Sequence, residues 1–426
     1  MPTPLLIRPG EPLTNLRRWG EIMRNLLIVT GLLVSTASLA AHPEGEYVAR
    51  VSDCIACHTA AGGAPMAGGK AFPTPLGDIY STNITPDKTH GIGSYSYADF
   101  EKALRQGIAK DGHPLYPAMP YPSYAKLSDP DLRALYDYMM QDVPPSATAN
   151  RESDIPWLLS ARWPLHIWNA FFTDSPQAAS TNASDALKRG AYLVSGPGHC
   201  GACHTPRGFA MQEKAYDDSD AAFLSGETID GWYAPSLRGL DLSAEELASL
   251  LLIGRSKHAA ISGSMSEVVT QSTQYLTKPD ADAIAQYLLS LKADAPTRQT
   301  KANPHAGQSD AGKTVYLRYC STCHGAQGKG TDDNVPSLVN NRMVQAEDPS
   351  SLIRVIVEGA ETPTTWGNVS YKMPAYRGTL NDQQIRDVTN YVRGAWGNNA
   401  PPADAGAVST VNKRETRHEG GAVATQ

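Results

Sequence analysis

Cys54-Ile55-Ala56-Cys57-His58, Cys200-Gly201-Ala202-Cys203-His204 and Cys320-Ser321-Thr322-Cys323-His324 are three copies of one pattern, and together they take up all six cysteines of the chain. Two thiols spaced by two residues on a helical turn can each add to one vinyl group of a haem. The histidine that follows then offers its imidazole to the iron. A zinc site needs four ligands; each run supplies at most three, and the runs lie more than 100 residues apart. A thioredoxin-like redox motif would occur once, in a βαβ setting, with no obligatory histidine after it. Three copies point instead to three haem c groups, held covalently by Cys54, Cys57, Cys200, Cys203, Cys320 and Cys323.

The surroundings of each run repeat as well. Upstream stand Gly45-Glu46-Tyr47, Gly190-Ala191-Tyr192 and Gly312-Lys313-Thr314-Val315-Tyr316, each in a short helical pattern. Downstream, amphipathic helices are expected from Ser128-Asp129-Pro130-Asp131, from Thr277-Lys278-Pro279-Asp280 and from Asn381-Asp382-Gln383-Gln384. Capping residues, an early proline in two of them and apolar residues at helical spacing are the start signals. The expected fold is mostly α: three tandem class-I-like cytochrome c domains at 42–145, 185–292 and 306–397, with linkers at 146–184 and 293–305.

The ligand opposite each histidine separates electron transfer from small-molecule chemistry, because a site closed by methionine favours electron transfer at raised potential. Met119 and Met265 each fall 61 residues after their histidine, and Met373 falls 49 after His324. A single methionine is more often core filler, but the repeated spacing favours axial pairs His58/Met119, His204/Met265 and His324/Met373. Met265 is followed by Ser266 where the other two have proline, and His258 is a nearby competitor. Met66, Met211 and Met343 follow their histidines too closely to reach the far face easily, and Met139 and Met140 lie inside a closing helix. His90, His113 and His199 are expected to meet solvent or haem propionates. A backbone carbonyl commonly orients a ligating histidine through its other ring nitrogen; Pro235 and Pro336 are candidates for that turn, and the first copy reads Ser81-Thr82-Asn83-Ile84 instead.

At 426 residues the chain has room for about three domains. Its net charge of −6, without a Lys/Arg-rich run, makes nucleic acid a poor partner. Residues 24–40, a positive residue followed by an apolar run and small residues, form a signal peptide with cleavage after Ala40; without residues 1–40 the net charge is −8. The apolar core Leu26 to Val34 is too short to span a bilayer, and Met23 makes a better start than Met1. The alternative is a retained anchor helix. Export places the mature chain in the periplasm.

Four stretches carry a resemblance: 45–50, 80–87, 116–124 and 198–206, which includes His199-Cys200-Gly201-Ala202-Cys203-His204-Thr205-Pro206. From about residue 42 to 397 the chain resembles the triple-haem cytochrome c subunits of bacterial membrane-bound dehydrogenases. The resemblance implies a catalytic dehydrogenase subunit as partner, carrying FAD or pyrroloquinoline quinone and oxidising alcohols, gluconate, other polyols or aldehydes. Electrons would pass to ubiquinone or a downstream oxidase at the outer face of the cytoplasmic membrane. It implies no substrate-oxidising site, and no catalytic residue, in this chain. The end of the chain, 398–426, reads as a disordered tail where some relatives have an apolar segment. In the first linker, the stretch from Ile155 to Phe172 holds three Trp and two Phe, broken by Pro156 and Pro164. It is either a strap packed on neighbouring domains or a peripheral membrane contact. Two rival readings remain: a self-contained multihaem enzyme such as a cytochrome c peroxidase, which needs one haem without methionine, and a cytochrome oxidase subunit, which needs a spanning anchor.

Overall fold

Three helix pairs organise the chain. Pro43–Val51, Asp185–Ser195 and Asp310–Tyr319 precede the cysteine runs, and Asp129–Gln141, Lys278–Ser290 and Asp382–Gly394 close the three lobes. The computed structural model describes residues 42–411 apart from 75, 158–159, 174–182, 230, 294–308 and 332–333. The leader at 1–40 and the second linker therefore lie outside the described residues.

The closing helices begin where their caps foretell. Ser128, Thr277 and Asn381 accept hydrogen bonds from the backbone N–H groups of Asp131, Asp280 and Gln384, which satisfies donors that the first helical turn leaves open. Each closing helix then crosses its upstream partner at a glycine. A Cβ on Gly45, Gly190 or Gly312 would lie 2.0, 2.1 or 2.2 Å from the carbonyl oxygen of Ala134, Ala283 or Asp387. Only the missing side chain lets the two backbones touch, and Tyr138, Tyr287 and Tyr391 flank the contact in turn.

Around these crossings lie three hydrophobic clusters. The first centres on Val48, Phe100, Leu132, Leu135 and Met139, the second on Val194, Phe223, Leu224, Ile284 and Leu288, and the third on Tyr316, Ile353, Val357, Ile385 and Val388. Sheet is confined, among the described residues, to three two-stranded antiparallel hairpins, pairing Ala71 with Tyr80, Thr228 with Tyr233 and Ala360 with Met373. No helix among the described residues is long and apolar enough to cross a membrane.

The described residues of the three lobes fall in one compact unit. Between the first two, Tyr47 donates to Asp280 at 2.5 Å and Tyr192 donates to Asp131, and within the second lobe Arg189 holds Asp280 in place with two hydrogen bonds, both 2.8 Å. Between the last two, Arg342 donates to the carbonyls of Ser236 and Gly239, and Ser351 accepts from the Tyr233 N–H. The first linker is tied down at several points. Asn83 donates to the carbonyls of Ser146 and Thr148, and the Pro164–Phe172 helix is held by Tyr121 on Asn169 and by the Trp168 indole N–H on the Ala210 carbonyl. Trp157, Trp163 and Phe171 stay exposed.

The expected disorder from Asn398 onward is corrected as far as Val411. Arg393 is fully buried and donates to the carbonyls of Pro401, Val344 and Ala346, so the returning chain supplies acceptors that a buried guanidinium must have. Ala403, Val408 and Val411 then fill the third cluster. Composition hides this because short apolar residues among Gly and Pro leave no periodic signal.

Burial raises the Asp280 carboxyl, but the hydrogen bonds from Arg189 and Tyr47 outweigh it and hold the group below the ordinary carboxylate range. A depressed folded value stabilises the native state above the unfolded pKa, about 3.9, and that stability drains away as pH falls below it. Asp280→Asn is expected to cost about 1–3 kcal/mol at pH 7, with the gap to the parent closing below about pH 4; thermal unfolding across that range measures both.

Candidate haem sites

Each cysteine run sits on a single helical turn at the end of an upstream helix: Cys54–Cys57, Gly201–His204 and Ser321–His324. All six thiols are free of disulfides. Burial pushes the Cys54 and Cys200 thiols up to about 12 and that of Cys320 up to about 11, because apolar surroundings disfavour the thiolate.

The histidines repeat one geometry. His58 Nδ1 lies 2.7 Å from the carbonyl oxygen of Thr82, and His204 Nδ1 lies 2.7 Å from that of Pro235. A carbonyl only accepts, so Nδ1 carries the proton in both rings and Nε2 is left as the lone-pair nitrogen. Pro235 fills the role the sequence gives it, and in the first copy Thr82 supplies the carbonyl from Ser81-Thr82-Asn83-Ile84. His324 Nδ1 is buried without a well-formed hydrogen bond, although the Pro336 carbonyl still acts on its ring against the pull of burial. In every copy the histidine's own carbonyl accepts from a glycine in left-handed conformation: Gly68, Gly226 and Gly330, at 2.8, 2.7 and 3.0 Å.

The second and third sites open into one cavity of about 1140 Å³. Its wall carries Cys200, Cys203, His204 and Met265 together with Cys320, Cys323, His324 and Met373. A single small-molecule site spans roughly 300–1,000 Å³, so this space exceeds one ligand's need. Apolar residues such as Leu247, Leu251, Leu288, Ile356 and Val388 make up much of the rest. Two thiol pairs, two imidazoles and two thioethers around one apolar space fit haem at both sites. At the first site Cys54 and Met119 border the first hydrophobic cluster, beside Tyr124 and Leu127.

Other residues depart from their expected places. Met343 also lines the shared cavity, although spacing argued against it, whereas Met211 is exposed and Met66 and Met139 are core. His258 lines the cavity too, but its Nδ1 is engaged by Glu246. His113 pairs with Asp111, and His90 Nδ1 stands 3.6 Å from Asp87. His199 lines the shared cavity and reaches the first lobe as well. Its ring packs edge-on against Tyr124 at 5.6 Å, and the Ser52 carbonyl, which accepts from Tyr124 at 2.7 Å, also acts on it. Sequence gave no sign of this, since the partners are more than 70 residues away.

Asp53 was likewise missed. Its backbone is left-handed at φ 53, its side chain is buried with Oδ1 unpartnered, and it lines the shared cavity although it belongs to the first run. The first two sites meet here: Lys70 donates to the Ala56 carbonyl at 2.9 Å and to Glu267 at 2.6 Å, and Cys203 is close enough to influence the Cys57 thiol.

The family model for cytochrome c matches twice, over residues 44–142 and 309–396. With the thiol pairs and carbonyl-held histidines, these matches define a c-type cytochrome, a class built to hold haem covalently. The cytochrome c subunit of the quinone alcohol dehydrogenase of Gluconobacter oxydans (strain 621H) is 46% identical over 400 residues, 89% of this chain and 83% of the relative. The gluconate 2-dehydrogenase cytochrome c subunit of Pantoea cypripedii is 46% identical, over 89% and 91% of the two chains. The fructose dehydrogenase cytochrome subunit of Gluconobacter japonicus is 38% identical, over 86% and 82%. The chain belongs to this family of dehydrogenase cytochrome c subunits.

Burial, then repulsion from Glu267, push the Asp53 carboxyl up to about 8, with Lys70 opposing. A raised carboxyl favours the protonated native state, so stability falls as pH rises from about 4 to about 8. Asp53→Asn mimics the protonated form and should unfold at a higher temperature than the parent at pH 8.5 but not at pH 4; equal melting at both would refute the assignment.

Proposed function

We propose that the chain is an electron-transfer subunit with three covalent haem c groups, one in each of three tandem class-I-like cytochrome c domains. Cys54/Cys57, Cys200/Cys203 and Cys320/Cys323 would attach the haems, and His58 with Met119, His204 with Met265, and His324 with Met373 would ligate the irons. The observation that carries this reading is the shared cavity, where two complete sets of thiols, histidine and methionine meet. Haem c supplies one-electron transfer between ferric and ferrous iron. The chain's own residues do the rest. Thr82 and Pro235 fix the imidazoles with Nε2 as the free nitrogen, the apolar walls exclude water, and the Lys70–Glu267 ion pair with the Arg342 hydrogen bonds ties the lobes together.

The printed functions of the relatives support a catalytic dehydrogenase subunit as electron donor. That partner carries a flavin or pyrroloquinoline quinone, and electrons leave for ubiquinone or the respiratory chain at the periplasmic face of the membrane. Mass spectrometry of the exported chain should show three added haems and no free thiol, and Cys320→Ala/Cys323→Ala should show two. Two haems on the parent chain, or a five-coordinate iron that takes up carbon monoxide in the reduced parent, would overturn the reading in favour of a multihaem enzyme.

The Pro164–Phe172 helix favours peripheral membrane contact. It has no acidic or basic residue apart from His166, and exposed Trp163, Ile167 and Phe171 lie near exposed Phe209 and Met211. Tryptophan and other large apolar side chains are favoured where headgroups meet acyl chains. Ile167→Glu/Phe171→Glu should reduce co-sedimentation of the haem-loaded chain with phosphatidylethanolamine/phosphatidylglycerol vesicles about tenfold or more, from about 0.8 kcal/mol per buried CH₂; undiminished binding argues against this face.

A further inference from the structure

The loop that delivers Met373 is fixed by the neighbouring lobe. Met373 ends a hairpin in which Ala360–Glu361 pairs with Lys372–Met373. Gly359 makes room for it: at φ +79 its backbone lies against the strand, and a Cβ there would come within 2.6 Å of the Met373 carbonyl. The connecting loop, 362–371, stands out from the third lobe, with Trp366 80% and Val369 70% exposed. Within the loop the hydrogen bonds are local: Thr362 with Tyr371, Thr365 with Asn368, Asn368 with the Trp366 carbonyl and Ser370 with Glu361.

The second lobe supplies the rest. Arg255 donates to the Val369 carbonyl at 3.2 Å and to Asn368 Oδ1 at 3.0 Å, and its guanidinium stands 4.9 Å from the centre of the Tyr371 ring. Gln274 accepts from the Trp366 N–H at 3.2 Å. Ser266, the residue after Met265, donates to the Glu361 carbonyl at 3.2 Å, in the strand paired with that of Met373. One guanidinium thus engages a carbonyl, an amide and a ring in a single planar arrangement that no other side chain reproduces. Ordering a loop costs roughly 1–2 kcal/mol per residue in backbone entropy, and the local bonds set the loop's shape while these partners fix its position against the second lobe.

We propose that Arg255 is the positioning residue for Met373, and that with Ser266 it couples the methionine loops of the second and third sites. The proposal rests on Met265 and Met373 being the sixth ligands. Loss of Met373 from its iron lowers that haem's potential, because thioether ligation raises it. The loop therefore makes the third site's redox level depend on the second lobe.

The test uses the full-length, haem-loaded protein, with redox titration and the methionine-to-iron charge-transfer absorption of the oxidised form as readouts. Met373→Ala sets the share of that absorption belonging to the third haem. Arg255→Ala should lose the same share and lower the same haem's potential, leaving the share removed by Met265→Ala in place. Arg255→Lys keeps the charge without the fork and should restore only part of the signal. Ser266→Ala, which removes a single exposed contact, should weaken the same share without loss of helical circular dichroism. Full absorption and an unchanged third potential in Arg255→Ala overturn the clamp alone. An unchanged absorption in Met373→Ala overturns the ligation reading, and the clamp with it.

Discussion

A hydrogen bond from a histidine Nδ1 to a backbone carbonyl, His58 to Thr82 and His204 to Pro235, is the constraint on which the rest of the architecture turns. It decides which ring nitrogen is free, and it can form only if the chain returns to its own cysteine turn. The small hairpins make that return. The strand Ile79–Tyr80 ends two residues before Thr82, and Trp232–Ala234 ends immediately before Pro235. A left-handed glycine meets the histidine's own carbonyl from the same side in each copy, at Gly68, Gly226 and Gly330. In the first two copies both the main-chain carbonyl and Nδ1 of the histidine are thus satisfied within the lobe, as a buried imidazole requires.

Repetition gives the parts, and the joints between them give one body. The second lobe stands between the other two and spends charged groups on both. Arg189 and Asp280 face the first lobe, and Arg255 and the Ser236 and Gly239 carbonyls face the third. Many of these contacts are half-buried and combine charge with two or three hydrogen bonds. Paired groups of that kind contribute more than exposed ion pairs and set register as well as strength. For a protein whose work is passing electrons between fixed centres, rigid spacing matters more than any single contact.

Much of this was legible in the residues. The three C-x-x-C-H runs, the capped helices at Ser128, Thr277 and Asn381 and the Pro235 carbonyl follow from local chemistry, in which a motif and its partner obey short-range geometry. What stayed hidden depends on residues far apart in sequence. The buried Arg393 and the chain end that packs over it, the seat of His199 on Tyr124 and the buried, unpartnered Oδ1 of Asp53 come from packing between segments with no shared period. The Arg342–Gln345 helix brings Met343 to the cavity wall, a position that its sequence distance from His324 does not give.

The missing proline after Met265 has a structural cause. Met119 and Met373 lie in a turn and at a strand end, where Pro120 and Pro374 cost no hydrogen bond. Met265 instead lies in the first turn of the Ser264–Gln271 helix, where the Ser266 N–H bonds to the Gly263 carbonyl at 2.9 Å. A proline at 266 would delete that bond, and with it the hydroxyl that reaches Glu361. The departure from the repeat is therefore not a weakened copy of the other two sites. The second methionine is held by a helix where the others are held by proline turns, and the residue released from that duty is the one that ties the second site to the third.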